Sequence, residues 1–113
     1  MWVLTTKGFV SIIQRPEDRA EGLLTVRARV RQDLIDLFGV DEAAINESSY
    51  TDYRYRVKLP KADVATVLLV VALAIDYPNF KEAVADRQGA HRAEVYGDVW
   101  SALQGLQYWA DQS

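Results

Sequence analysis

Two segments of the chain alternate strictly between apolar and charged side chains. In the first, the apolar positions are Val26, Ala28 and Val30, and the charged positions are Arg27, Arg29 and Arg31. In the second, the apolar positions are Tyr53, Tyr55, Val57 and Leu59, and the charged positions are Arg54, Arg56 and Lys58. A period of two is typical of a β-strand that buries one face. The pattern predicts strands over 24–31 and 53–59, each with an apolar and a basic face.

The N-terminal segment predicts two further strands on either side of Lys7 and Gly8. Residues 2–6 and 9–15 are rich in β-branched and aromatic side chains, and a glycine between such runs indicates a kink or a bulge. If Val10 and Ile12 are buried, then Phe9, Ser11 and Ile13 share the opposite face of their strand.

The remaining apolar positions recur at helical spacing. They predict helices over 31–38, with Gly39 as the stop, over 61–75, over 80–86 with Asn79 as the cap, and over 93–109. Residues 16–22 and 40–52 are polar and predict loops, the second with a helical turn over 42–46.

This order of elements predicts an α+β fold. We expect an antiparallel sheet of about four strands with helices packed on one face, and a ferredoxin-like arrangement is the leading topology. The 113 residues fit a single domain, 1–113. The chain has no cysteine, and its N-terminus lacks the pattern of a signal peptide. Its longest apolar run, 64–75, is shorter than the about 20 residues of a membrane span. We therefore expect a cytoplasmic protein that does not enter the membrane.

No catalytic motif is recognisable. His91 is the only histidine, and it lies in a polar stretch with no pattern of a nucleophile and base around it. One histidine and no cysteine argue against a metal site, and the scattered glycines form no phosphate loop. Carboxylate pairs such as Asp33 and Asp36 are more typical of a solvated helix face. We expect no enzyme, no cofactor and no metal.

The basic strand faces give the sharpest signal. Side by side on one open face of the sheet, the six cations would form a dense positive patch on a chain of net charge −3. Beside an aromatic side chain, such a patch is suited to single-stranded nucleic acid, and by charge alone to an acidic protein. Two plainer interpretations remain open. The cations keep a strand face exposed to water, or acidic side chains such as Glu17, Asp18, Glu21 and residues 41–47 fold over and neutralise them.

The helix predicted over 61–75 is apolar on nearly every side. Between Ala62 and Ile75 only Asp63 and Thr66 are polar. One stripe can cover the sheet and consists of Val64, Val67, Leu68, Val71 and Ile75. The opposite side then presents Thr66, Val70, Leu73 and Ala74, with Leu69 at its border. Either the last helix of the chain covers this side, or it is an exposed apolar patch, which usually marks an interface. We therefore expect a non-enzymatic protein-binding module that forms a homodimer or binds another protein. A small nucleic-acid-binding domain is the alternative.

Five segments together resemble a family of small uncharacterised bacterial proteins, in which phage-borne members are expected. The segments are TKGFVS from Thr6, VRARVR from Val26, TDYRYR from Thr51, IDYPNFK from Ile75 and YGDVW from Tyr96. The resemblance covers nearly the whole chain and implies a compact cytosolic domain, but no activity. In the family the helix matching 61–75 is amphipathic with a charged outer face, whereas this chain places Val70, Leu73 and Ala74 there.

Overall fold

A computed structural model describes residues 1–112 of the chain. These residues belong to two compact units. The first unit is Met1–Asp76, and the second unit begins at Tyr77.

The first unit is built on an antiparallel sheet. Its strands are β1 (Trp2–Thr5), β2 (Gly8–Ile13), β3 (Leu23–Ala28), β4 (Asn46–Glu47) and β5 (Tyr55–Pro60). They lie in the order β1-β2-β3-β5-β4. The predicted α+β class with an antiparallel sheet is confirmed. The described residues form five strands, whereas about four were predicted. The additional strand is β4, which is too short to show a period of two. A ferredoxin-like domain has the element order β-α-β-β-α-β, whereas the order in this unit is β-β-β-α-β-β-α.

Two helices pack on one face of this sheet. They are α1 (Arg31–Phe38) and α2 (Lys61–Leu73). The buried cluster joins both helices to the strands and consists of Val10, Ile12, Val26, Ala28, Leu34, Leu37, Val57 and Val64. We call this the core face of the sheet. Its strand members are those that the alternation of apolar and polar residues assigns to burial.

Both alternating strands are shorter than the sequence predicts. β3 ends at Ala28, Arg29 and Val30 form a bend, and Arg31 already begins α1. The carbonyl of Val30 accepts the N–H of Asp33 at 3.1 Å, so the backbone turns into the helix one residue before Arg31. Gly39 ends α1 in the left-handed conformation, with φ of 64°, as predicted. β5 begins only at Tyr55, so residues 53 and 54 lie outside it.

Two segments predicted as loops, 16–22 and part of 40–52, contain short helices. Residues Pro16–Glu21 form a 3-10 helix rather than an irregular loop, and Glu42–Ala44 form a second one. Asp18 of the first 3-10 helix is buried, which the sequence did not indicate.

The second unit is a pair of helices, α3 (Phe80–Gln88) and α4 (Ala90–Gln112). The Asn79 side chain accepts a hydrogen bond from the backbone N–H of Glu82 at 2.9 Å, which confirms the predicted cap. The rings of Phe80 and Tyr96 stack with centroids 5.8 Å apart. Within residues 1–112, none of the helices has both the length and the apolar run needed to cross a membrane.

Candidate functional site

The face of the sheet opposite the core face carries the candidate site, and we call it the open face. Its strand members alternate with the buried residues of the core face. The pairing of the strands aligns five of them in one row across the whole sheet, in the order Trp2, Ser11, Arg27, Arg56 and Asn46. The prediction that Phe9, Ser11 and Ile13 lie opposite Val10 and Ile12 is confirmed, because Val10 and Ile12 belong to the core.

The six predicted cations do not form a single patch. Arg27, Arg56 and Lys58 lie on strands of the open face. Arg29 lies in the bend after β3, Arg31 is the first residue of α1, and Arg54 precedes β5. The prediction that all six share one strand face is therefore wrong for Arg29, Arg31 and Arg54. The reason is that the period of two stops where the backbone turns.

Acidic side chains neutralise half of these cations, as one of the open interpretations anticipated. Lys58 donates a short hydrogen bond to the carboxylate of Asp18, and Glu17 lies 3.8 Å from its Nζ. Arg31 bonds Glu42 and Glu47, both at 2.9 Å. Arg54 bonds the same Glu47 at 2.9 Å.

The Asp18 carboxylate is enclosed beside the end of the open face. It is only 1% exposed, and it also accepts hydrogen bonds from the Thr25 hydroxyl at 2.7 Å and from the N–H of Arg15 at 2.9 Å. The hydrogen bond from Lys58, assisted by those from Thr25 and Arg15, lowers the pKa of Asp18 to about 2 and outweighs the opposing effect of burial. These hydrogen bonds attach the first 3-10 helix to the sheet. Lys58 therefore stabilises the fold and is not free to bind a ligand.

Arg31 contributes to a separate cluster at the β4 edge. Its guanidinium carbon lies 5.0 Å from the ring centre of Tyr55, a residue that packs against the core. The hydrogen bond to Glu42 raises the pKa of the Arg31 guanidinium. Arg31 and Arg54 thus hold the acidic segment around Glu47 in place, and they add no net charge to the open face.

Tyr53 lies on the opposite side of the sheet from the predicted one. Its ring centre is 6.3 Å from that of Phe9, and the guanidinium carbons of Arg27 and Arg29 lie 4.5 Å and 4.6 Å from it. The side chain is 4% exposed. Because residues 51–53 form a bend before β5, the backbone carries the ring onto the open face rather than the core face.

Three of the six predicted cations, all arginines, have no acidic partner among residues 1–112. Arg27 donates to the Ser11 hydroxyl at 2.7 Å, Arg29 to the carbonyl of Asp52 at 2.8 Å, and Arg56 to the carbonyl of Tyr53 at 3.2 Å. None of the three forms an ion pair in the described part of the chain. Their acceptors are neutral, so three positive charges stay uncompensated, two at the ring of Tyr53 and one at its backbone carbonyl.

Trp2 extends this cluster to the outer strand of the sheet. Its ring meets Phe9 edge to face, with centroids 6.3 Å apart, and 66% of the residue is exposed. Sequence reasoning did not single out Trp2. The alternation along β1 could have identified it. Val3 packs against the core, so its neighbours Trp2 and Leu4 belong to the opposite face of the sheet.

The outer face of α2 is the second candidate surface. Its predicted members are Leu69, Val70, Leu73 and Ala74, and the structure leaves all four exposed. Ile75, just past the helix, joins them, and the large side chains are between 55% and 76% exposed. On the inner side Val64 is buried in the core, and Leu68 and Val71 pack against it. The predicted placement of Val64, Leu68 and Val71 toward the sheet is confirmed, whereas that of Ile75 is wrong, because the helix ends at Leu73 and leaves Ile75 exposed.

The C-terminal half of α4 is a further exposed apolar surface, in the second unit. Every described residue from Trp100 onward is exposed. The large apolar members are Trp100, Leu103, Leu106, Tyr108 and Trp109. Closer to its N-terminus the same helix buries Ala93 and Tyr96, so only its first half is packed.

Little in the described residues resembles a catalytic centre. His91 lies exposed in the first turn of α4. Among residues 1–112 no three His, Cys, Asp or Glu side chains are grouped closely enough to hold a metal ion. A groove of about 470 Å³ between α3 and α4 is lined by Lys81, Glu82, Glu94, Asp98, Trp100 and neighbouring residues. No protein-family model, curated protein or solved structure matches this chain.

Proposed function

We propose that the protein acts by protein–protein association and that its contact surface is the outer face of α2. The observation that carries this proposal is the exposure of Leu69, Val70, Leu73 and Ile75, which range from 55% to 76% exposed. Exposed apolar side chains that are scattered need no explanation, whereas a contiguous group indicates an interaction site.

Nothing polar interrupts this surface. No charged residue occurs between Val64 and Ile75. The one hydroxyl in that stretch, of Thr66, bonds back to the carbonyl of Ala62 at 2.9 Å and is thereby satisfied within the helix. A helix that is apolar on every side is normally covered by another surface. The outer face of α2 therefore suits an apolar partner.

The energy available from this surface calls for a partner that buries an apolar patch of its own, and a second copy of the chain provides one. Covering the exposed fractions of the four large side chains yields a gross gain of about 4–7 kcal/mol, at about 1.5–3 kcal/mol for a fully buried side chain. Association costs an estimated 4–15 kcal/mol in lost freedom of motion. A two-fold dimer buries the same patch on both subunits and so doubles the gain. The gain from the patch of one subunit alone reaches only the lower end of the cost of association.

Light scattering coupled to size exclusion, over a range of protein concentrations, tests this proposal. We expect a dimer that dissociates on dilution, and a monomer at all concentrations when Val70→Glu is combined with Leu73→Glu. Lys61→Glu is the matched control, because it changes the net charge equally at an exposed position of the same helix. The control should still dimerise. A wild-type chain that is monomeric at every concentration would contradict self-association.

We also propose a cytoplasmic location and membership of the small bacterial family described above. The support for both is the absence of cysteine and the five segments of the resemblance. A fluorescent fusion viewed in a bacterial cell tests the location, and diffuse cytoplasmic signal is the expected result.

A further inference from the structure

We propose that the open face of the sheet binds a ligand that carries both phosphate and a nucleobase, as in a nucleotide or a single-stranded nucleic acid. This site is separate from the outer face of α2. It consists of Trp2, Arg27, Arg29 and Arg56, arranged around Tyr53.

Uncompensated charge is the first argument. In this acidic chain, each of the other three predicted cations of the two alternating segments has a carboxylate partner, and these three arginines have none among residues 1–112. Clustered positive charge of this kind raises the local concentration of anions. An anionic ligand would replace the acidic partner that the fold supplies elsewhere.

The donors still available are the second argument. A guanidinium has five N–H groups in a planar fork that matches two oxygens of a phosphate. Arg27, Arg29 and Arg56 each use one group on a neutral acceptor in the described residues. The Nε atoms of Arg27 and Arg56 are enclosed and without an acceptor, so the terminal nitrogens present the remaining donors.

Two of the arginines are held in place before any ligand arrives. Arg27 and Arg29 both contact the Tyr53 ring, within the about 6 Å range of a cation–π interaction. A long side chain that is already fixed loses less conformational freedom on binding. Fixed arginines are more typical of a binding site than of cations that only keep a strand face exposed to water.

Trp2 supplies the aromatic surface. Phe9 contacts the ring edge to face, and most of the residue is exposed, which leaves ring surface for a base to stack on. Trp2, Arg27 and Arg56 occupy one row, on the first, third and fourth strands of the sheet. At about 4.8 Å between strands, the backbones of Arg27 and Arg56 lie about 10 Å and 14 Å from that of Trp2.

The exposed ring of Trp2 fits a single strand better than a duplex or an acidic peptide. A stacked strand rises about 3.4 Å per nucleotide, so a span of 14 Å holds at most about four nucleotides, and fewer if the strand is extended. Stacking on Trp2 requires an unpaired base, because the bases of a duplex are already stacked on one another. An acidic peptide would use the arginines but leave Trp2 without a role.

Fluorescence anisotropy with a labelled single strand of about ten nucleotides tests the proposal. At low salt we expect saturable binding that weakens as salt rises, with a logarithmic slope near −2 for three phosphate contacts at about −0.7 each. Arg29→Gln should reduce the slope by about 0.7, and Lys61→Gln, which removes the same charge from α2, should leave it unchanged. Trp2→Leu should weaken binding about 5- to 150-fold, the loss of one stacked base.

Competition decides the source of the ligand. Displacement by a mononucleotide at equal concentration supports a free nucleotide as the ligand, and displacement only by longer strands supports a nucleic acid. Equal competition by duplex DNA or by poly-glutamate would overturn the proposal, as would the absence of binding at low salt. Val70→Glu with Leu73→Glu should bind the strand like the wild type, so this result stands or falls independently of self-association.

Discussion

Replacing Gly8 with alanine is expected to destabilise the first unit through a single crowded contact. A Cβ atom at position 8 would lie 2.5 Å from the Cγ of Asp33 and 2.8 Å from its Oδ1. Gly8 also has a φ of 155°, which residues other than glycine rarely adopt. The Asp33 carboxylate cannot simply move aside, because it accepts the N–H of Phe9 at 3.0 Å.

The magnitude follows from these two costs. A residue forced into a sparsely populated backbone conformation costs about 1–3 kcal/mol. Losing a hydrogen bond to a charged group costs about 1.5–3 kcal/mol. Together they predict a loss of roughly 3–6 kcal/mol in the free energy of unfolding, a large part of the 5–15 kcal/mol that is typical of a domain.

Urea denaturation followed by circular dichroism measures this loss. With a dependence on urea of about 1–3 kcal/mol per molar, the midpoint of Gly8→Ala should fall by at least about 1 M. Gly22→Ala is the matched control, because Gly22 also has a positive φ, of 65°, but a Cβ atom there would meet no neighbouring atom within 4 Å. Its loss should be limited to about 1–2 kcal/mol. Equal losses in the two variants would refute the role of Asp33.

Two further predictions concern acid stability and a helix cap. Because the fold lowers the pKa of Asp18 from 3.8 to about 2, its contribution to stability is complete above about pH 4 and is lost as the pH falls through about 2. Thermal midpoints between about pH 5 and 2 should therefore fall less steeply in Asp18→Asn, and an unchanged slope would contradict this assignment. Asn79→Ala should cost α3 about 1 kcal/mol by removing the bond to the Glu82 N–H, whereas Asn79→Asp should keep it. Faster amide hydrogen exchange at Glu82 in the alanine variant alone is the expected result.

Local patterns predicted the helices and strands and the apolar side of α2, whereas they predicted only half of the basic strand face. Val10 and Ile12 faced the core and Phe9 the open face, as the alternation required, and the helices over 31–38 and 61–75 formed where their apolar spacing placed them. Hydrophobic burial acts on each strand or helix separately, so a period of two or 3.6 is enough to assign a side. The same rule identified the apolar outer face of α2 but left open whether another helix covers it.

The sequence by itself determined the α+β class, the core residues and the apolar surface of α2, because these depend on periodicity within one element. Tertiary structure alone decided which cations remain unpaired. Lys58 meets Asp18 across 40 residues of chain, and Arg31 meets Glu47 across 16. It also decided the side of Tyr53, since the bend before β5 interrupts the alternation and carries the ring onto the open face. Contacts between distant segments depend on how the backbone turns between elements, and no local period records that.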